Sequence, residues 1–482
     1  LLLPFAWMKW NFEQPALAGI IVVVWLLMGV LLQTNGRFWL RRLLRDHGHL
    51  RHLYATLISV TMVLASIGVV SFQNRGYGAS NAILSDPDVM VVSLDGIGTN
   101  ALSRYSSDSF ANTPNLDSLA SQCIDFSEAV SVSTEVFPAH VAMFTGRYPG
   151  QLNIVDDQGL LKYASATLAE KFVKEGYATA LFANHPHLDM KQGFAQGMQR
   201  IDVDQPLDVL GFRVKGAGQY RTGEWLQQWQ GGEPNPLDPL IQAGKFLDTY
   251  QDKPVFLWVQ SQVPNFLAPQ EYRKHVEQID AQVGDFVRML DTRKVDRERL
   301  LIVTSAFGNH FDYGKSDHRG IAESVIRVPL IICPLKAQPH SPKPFEGQVR
   351  TVDIPNTVYA QVGFTHNKEI SSVDISDRQK DHVVYQTVLM GHDPEHEGGF
   401  QLGYRFQASN SDTIYKYKWF THRKLQGIYN LMNDPTELDN IVSKAPQMRS
   451  DLSSALTTAA SSIPALKVTP NLSHPETFQP IP

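Results

Sequence analysis

Residues 131–150 read SVSTEVFPAHVAMFTGRYPG, and the organisation of the chain follows from this stretch. Pro138 reads as the first residue of a helix, where its missing N–H costs nothing, and Gly146 as its stop. A loop carrying Thr134, Glu135 and His140 therefore feeds a helix N-terminus, where free backbone N–H groups and the helix dipole favour an anion. At the tip of the loop, where a nucleophile would serve, stands Val136.

Outward from this stretch the chain alternates between two patterns. DVMVVSLD (88–95) is a continuous apolar run ending in an acid, as in a buried parallel strand. Similar runs recur at 177–184, 255–260, 300–305 and 328–333, with helical spacing at 113–121, 168–174, 239–250 and 272–290. Such alternation predicts a mostly parallel sheet covered on both faces. Ligands of these sheets bind beyond the C-terminal strand ends, so Asp95, Asn184, 260–265 and 305–310 are expected to converge. Residues 204–235, with Trp225, Trp229 and GGEPNP, break the alternation and read as an insertion over the crevice or against a partner. Beyond Gly363, the stretches 382–390, 403–408 and 413–420 are rich in β-branched and aromatic residues and predict a small antiparallel sheet.

The amino-terminal part has another character. Spans of about 17–33 and 53–72 are long uncharged apolar runs, each read as a transmembrane helix. Between them RFWLRRLLRDHGHLRH carries Arg37, Arg41, Arg42, Arg45 and Arg51, which places the loop in the cytoplasm and both outer ends outside. The chain opens on LLLPFAWMKW, which leaves room for an earlier helix, and the first apolar run lacks the features of a cleavable signal peptide. The expected organisation is a membrane region (1–75), a linker (76–87), an α/β core (88–364), a C-terminal subdomain (365–450) and an extended tail (451–482). A net charge of -5 gives no basic footprint for nucleic acid. Cys123 and Cys333 sit in apolar surroundings and read as separate buried thiols.

Eight segments, taken in order, resemble the sulfatase branch of the alkaline phosphatase superfamily: VVSLDGIG, TPNLDSLASQCIDFSEAVS, FPAHVAMFTGRYPG, GYATALFANHPHLDMKQGFAQGM, LLIVTSAFG, ESVIRVPLIICP, VDIPNTVYAQVG and IYNLMNDPTELDNI. The resemblance implies a mixed sheet sandwiched by helices and a small C-terminal antiparallel subdomain, to which the two apolar runs add the expected N-terminal transmembrane helices. It also implies cleavage of sulfate or phosphate esters by a nucleophile beside one or two divalent metals.

Position by position, that chemistry is poorly represented. Asp95 stands where a metal-binding Asp is implied. Val136 takes the nucleophile position, where a sulfatase carries Cys or Ser and a phosphodiesterase-like relative Thr. His140 replaces the usual Arg, Thr304-Ser305-Ala306-Phe307-Gly308 replaces TSDHG, Asn265 follows Pro264 in place of His or Asp, and the anion-binding Lys falls near His318. Ser316-Asp317-His318-Arg319-Gly320 could restore ligands in a shifted alignment, although the strand ends directly at Ala306. Thr134 could stand in for the nucleophile from two residues away. His185 and His187 read as framework. The run GHDPEHEGG, with His392, Asp393, His396 and Glu397, has metal-ligand spacing but is expected away from the crevice.

The favoured expectation is a membrane-anchored, catalytically inactive sulfatase-like protein in the bacterial inner membrane. Its large domain faces the periplasm and serves as a binding or scaffold subunit of a membrane complex, with no cofactor. The alternative is an active hydrolase or transferase of sulfate or phosphate esters at the outer face, using Asp95, Thr134, His140, His310 and His318 with calcium, zinc or manganese. A third reading is a receptor for an anionic glycan or lipid headgroup, bound through His140, Arg147 and His318.

Overall fold

The chain divides into two units, residues 1–78 and 79–482. The computed structural model describes residues 86–105, 110–203, 207–209, 212–214, 238–293, 295, 297–312, 315–334, 345, 347–365, 372–375, 386–393, 399–407, 413–461 and 479–480. Both expected membrane spans, the basic loop between them, most of the linker, most of the 204–235 insertion, and His396 and Glu397 lie outside the described residues. Among the described residues no helix is long and apolar enough to cross a membrane.

The first half runs β1 (Asp88–Asp95), α1 (Pro114–Gln122), β2 (Ile124–Phe126), β3 (Ala129–Val130), α2 (Val136–Thr145), α3 (Leu168–Lys174), β4 (Ala178–Ala183) and β5 (Arg200–Val203). A hairpin of β6 (Leu207–Val209) and β7 (Phe212–Val214) precedes α4 (Pro239–Thr249), β8 (Val255–Gln262), α5 (Pro269–Thr292) and β9 (Arg299–Thr304). Then come the hairpin β10 (His310–Asp312) and β11 (Lys315–Asp317), α6 (Glu323–Ile326), β12 (Leu330–Cys333), β13 (Val349–Arg350) and α7 (Ile354–Val362). The C-terminal part holds β14 (Gln386–His392), β15 (Phe400–Gln407), β16 (Ile414–Phe420), β17 (Leu425–Asn430), α8 (Pro446–Ser461) and β18 (Gln479–Pro480).

Seven strands form the central sheet in the order β2-β12-β9-β1-β8-β4-β5. The five from β9 to β5 are parallel, while β12 runs antiparallel to β9 and to β2. The sheet is thus mixed at one edge. In β1 every residue is buried, and the strand's two faces serve two cores. Val89 and Val91 pack with Phe137, Phe144, Phe172 and Val358 from α2, α3 and α7. Met90, Val92 and Leu94 pack with Leu116, Phe246, Val276 and Val283 from α1, α4 and α5. A strand buried on both faces needs the uninterrupted apolar run that DVMVVSLD supplies.

Two expectations are corrected here. Cys123 and Cys333 are not separate thiols but form a disulfide, because the end of α1 and the end of β12 bring their Cα atoms to 4.6 Å. Separated by 210 residues, they gave no sequence cue to pairing. The start of the expected extended tail is helical in α8, since Leu452 and Leu456, four residues apart, present one stripe to Tyr417, Trp419 and Ile428 of the C-terminal sheet.

Buried ions connect that sheet to the core. Arg405 of β15 is almost wholly enclosed and donates to Glu323 Oε2 at 3.1 Å, to Glu128 Oε2 at 2.5 Å and to Gln348. Lys416 of β16 reaches Glu323 at 3.1 Å and Glu437 at 2.7 Å. Burial pushes the Glu323 carboxyl up, but Arg405 and Lys416 outweigh it and hold it below its ordinary value. Removing one member of such a network leaves its partners desolvated and uncompensated. Glu323→Ala is therefore expected to cost about 3–5 kcal/mol in urea unfolding. Arg288→Ala, at an exposed ion pair with Asp285, should stay within about 0.5 kcal/mol of wild type. Equal losses in the two variants would contradict the network's role.

Candidate functional site

The crevice is built around the carboxylate at the end of β1. Gly96, at φ +83, turns the chain sharply after Asp95, and its N–H donates to Phe307 O at 2.9 Å. The wholly buried Asp95 accepts four hydrogen bonds. Its Oδ1 receives Ser93 Oγ at 2.5 Å and the Ala306 N–H at 3.0 Å; its Oδ2 receives His140 Nε2 at 2.8 Å and Gln260 Nε2 at 2.9 Å. Trp258 Nε1–H donates to His140 Nδ1 at 3.2 Å, so the ring proton lies on Nε2, directed at Asp95. Burial alone would raise the Asp95 carboxyl; His140, Ser93 and Gln260 together hold it below its ordinary value. Phe194 and Trp258 pack edge-on against the imidazole, and Phe144 packs against both of them.

A divalent cation needs free carboxylate lone pairs and several hard or imidazole ligands. The residues present do not fit one. Four donors already occupy Asp95, Ala306 and Phe307 have no ligating side chain and lie in the apolar core, and Asn265 is a single neutral amide. Among the described residues no group of three or more His, Cys, Asp or Glu is arranged to hold a metal. In the C-terminal cluster, Asp393 is paired with Arg423 at 2.9 Å.

Val136, at the position the resemblance implies for the nucleophile, is packed into the core and is the first residue of α2, which starts two residues before the expected Pro138. The N-terminus of α2 already has an acceptor, since the Phe137 N–H donates to Asp157 Oδ1 at 2.7 Å. Beside it Glu135, the residue preceding the helix, has its carboxyl pushed up to about 8 by burial and by Asp157 and Asp156. Burial raises the Asp157 carboxyl as well. Thr134 is wholly buried under the C-terminal sheet: its N–H donates to Met390 O at 3.3 Å, and Met390 N–H donates to Val132 O at 3.2 Å. Gly391 closes over the Thr134 hydroxyl so tightly that an added Cβ would stand 2.5 Å from Oγ1. This pairing also corrects the expected position of His392, which lies at the crevice, with Nε2 3.9 Å from Glu135 Oε1.

The remaining candidates are scattered. His318 stacks on Phe307 at 4.4 Å, and burial pulls it down to about 4; burial and neighbouring His187 pull His185 down to about 3. Both imidazoles are therefore uncharged at neutral pH. His187 Nδ1 donates to Gln192 Oε1 at 2.8 Å, because the Gln192 amide nitrogen is committed to Asp157 O and Gly159 O. His310 lies in β10, opposite Asp317 of β11. Arg147 lies beyond the far end of α2, roughly 15 Å along the helix from Val136. The structure thus joins Asp95, His140 and Ala306 directly, with His185 and His318 nearby, and places Arg147 beyond the opposite end of α2. Ser93, Trp258 and Asp157 were not singled out by sequence reasoning. The first two are ordinary strand positions, and Asp157 belongs to no motif; an acid ending a strand beside the Gln of a neighbouring strand was the one available cue.

The comparisons with known proteins agree with this architecture. The Sulfatase family model matches residues 87–364, more than half of the chain. The N-acetylgalactosamine-6-O-sulfatase of Bacteroides thetaiotaomicron is 21% identical, over 77% of this chain and 92% of that protein. The Ulvan-active sulfatase of Formosa agariphila is 24% identical over 47% of this chain, which spans about half (52%) of that relative. A structure solved with its substrate D-glucosamine-2-N,6-O-disulfate superposes with a TM-score of 0.63 at 14% identity, covering 81% of this chain and 100% of that one, a likeness of fold alone. The chain belongs to the sulfatase family.

Asp95→Ala would leave the Ala306 N–H, Gln260 and His140 without their buried acceptor, at a cost of about 3 kcal/mol or more near neutral pH. Because the folded carboxyl lies below its unfolded value, this stabilisation is present above the ordinary carboxylate range and is lost as pH falls through the folded value. Urea unfolding of wild type and variant should show the gap closing in acid. A gap independent of pH would refute the ionised cage.

Proposed function

We propose that this sulfatase-family domain acts by binding rather than by ester hydrolysis, as an accessory or scaffold module on the outward face of a membrane. The observation that carries the reading is Val136, buried in the core at the position implied for the nucleophile. Valine has no lone pair with which to attack sulfur or phosphorus, and fold alone does not confer the activity. The filled lone pairs of Asp95 support the same reading, because the cation that would ionise a nucleophile and offset charge on the transferring group has no seat there.

The outward placement has its own support. A disulfide between Cys123 and Cys333 is expected to persist in an oxidising compartment and to be rare in the cytosol. It accords with the two apolar spans and the basic loop between them. The partners proposed are the lipid bilayer and other membrane subunits.

Two measurements test these parts separately. Purified full-length protein, supplied in turn with calcium, manganese and zinc, is expected to turn over neither an aryl sulfate nor an aryl phosphodiester, and chelation should leave its melting temperature unchanged. Metal-dependent turnover abolished by Asp95→Ala would select an active hydrolase instead. In intact cells Cys123 and Cys333 should resist thiol labelling until a reductant is added; free thiols would remove the support for an outward domain.

A further inference from the structure

The end of the central sheet remote from the crevice carries positive charge that the fold does not fully answer. Asp88 opens β1, roughly 23 Å along the strand from Asp95, and its carboxylate is buried between two guanidiniums. Arg293 follows α5 and Arg297 precedes β9, and their side chains are only 7% and 3% exposed. Each is fixed by other bonds. Arg297 Nε donates to Asp88 Oδ1 at 3.2 Å and its Nη1 to Gln251 O at 3.0 Å. Arg293 Nη2 donates to Leu247 O, in the last turn of α4, at 2.6 Å, while its Nη1 stands 3.5 Å from Asp88 Oδ2. Asp88 Oδ1 also accepts the Val255 N–H at 3.1 Å.

Two donors are left over. Arg293 Nε and Arg297 Nη2 are both buried without a hydrogen-bond partner. Because both guanidiniums reach the same carboxylate, the two unpartnered N–H groups belong to one corner of the fold. Among the described residues Asp88 is the one carboxylate paired with either side chain, so two buried cations share one buried anion. Leu247 O and Gln251 O lend only partial charge, and Asp248 and Arg299 act on Arg293 in opposite directions. An uncompensated buried charge and a buried N–H without an acceptor are each costly, and a single bound anion relieves both.

We propose that the Arg293–Arg297 corner is a binding site for a small monovalent anion of the halide class, held by Arg293 Nε–H and Arg297 Nη2–H. The number of donors sets the class. Two N–H groups on side chains already fixed at their other nitrogens satisfy one compact acceptor, whereas a tetrahedral oxyanion presents more lone pairs than this corner has free donors. The ion ties the ends of α4 and α5 to the starts of β1 and β9 and so serves as a structural ligand. Asp95 lies at the other end of β1, so the inference is independent of the crevice and of whether the domain hydrolyses esters.

Chloride is the probe, with the bulkier gluconate as the balancing anion. Urea unfolding of the full chain in detergent is followed while sodium chloride replaces sodium gluconate at constant ionic strength. At a chloride concentration about ten times its dissociation constant, the folded-to-unfolded ratio of the wild type is expected to be about tenfold higher than in gluconate alone. Arg297→Gln and Arg293→Gln each remove one guanidinium and should lose that response, whatever their stability in gluconate. An equal ratio in the two salts for the wild type would overturn the proposal, as would a chloride response retained in both variants. Should neither variant fold, wild-type crystals grown in bromide decide. An anomalous peak within hydrogen-bond distance of Arg293 Nε and Arg297 Nη2 supports the site, and the lack of a peak there refutes it.

Discussion

A carboxylate taken wholly out of water must have its charge answered, and in this chain the answer given to Asp95 governs the crevice. Four donors converge on it from four segments: Ser93 from its own strand, Gln260 from β8, the Ala306 backbone beyond β9 and His140 from α2. Each donor sits where it does because the parallel register of β9-β1-β8 aligns their C-terminal ends. The crevice position common to such sheets is retained, while its centre is occupied by hydrogen bonds within the protein. Trp258 extends the arrangement by fixing the tautomer of His140, so the imidazole is committed as a donor to Asp95.

The C-terminal sheet acts on the same crevice from above. Its strand β14 pairs with the loop before α2, sealing Thr134 beneath Gly391 and bringing His392 to Glu135. The Arg405–Glu323–Lys416 cluster holds that sheet against the core through charges that are costly to separate once dry. Packing and electrostatics therefore cooperate: the buried ions fix the position of the sheet, and the sheet encloses the loop.

The framework was far more legible than the site. DVMVVSLD reads as a doubly buried strand because continuous apolar character and a short length leave few alternatives, and Pro138 with Gly146 marks α2 through backbone geometry alone. Ala306, Phe307 and Val136 stood out in the sequence because the chemistry implied by family resemblance calls for other side chains at those positions. Neither the Cys123–Cys333 bond nor the Asp157 cap could be read the same way. Both join segments through tertiary proximity, and nothing in the local sequence of either partner distinguishes it from an ordinary buried thiol or a loop acid. His392 was misplaced for the same reason, because the pairing of β14 with residues 132–134 is a long-range contact without a periodic signature.

These features bear on one another through charge. In a site built for a sulfate ester, a cation and a positive helix end would face the incoming anion. Here Asp95 is occupied by donors from within the chain, and the Phe137 N–H at the helix start is taken by Asp157. The two substitutions are also mutually consistent in energy. Asp157 and Glu135, pushed up by burial, can meet part of their desolvation by holding a proton.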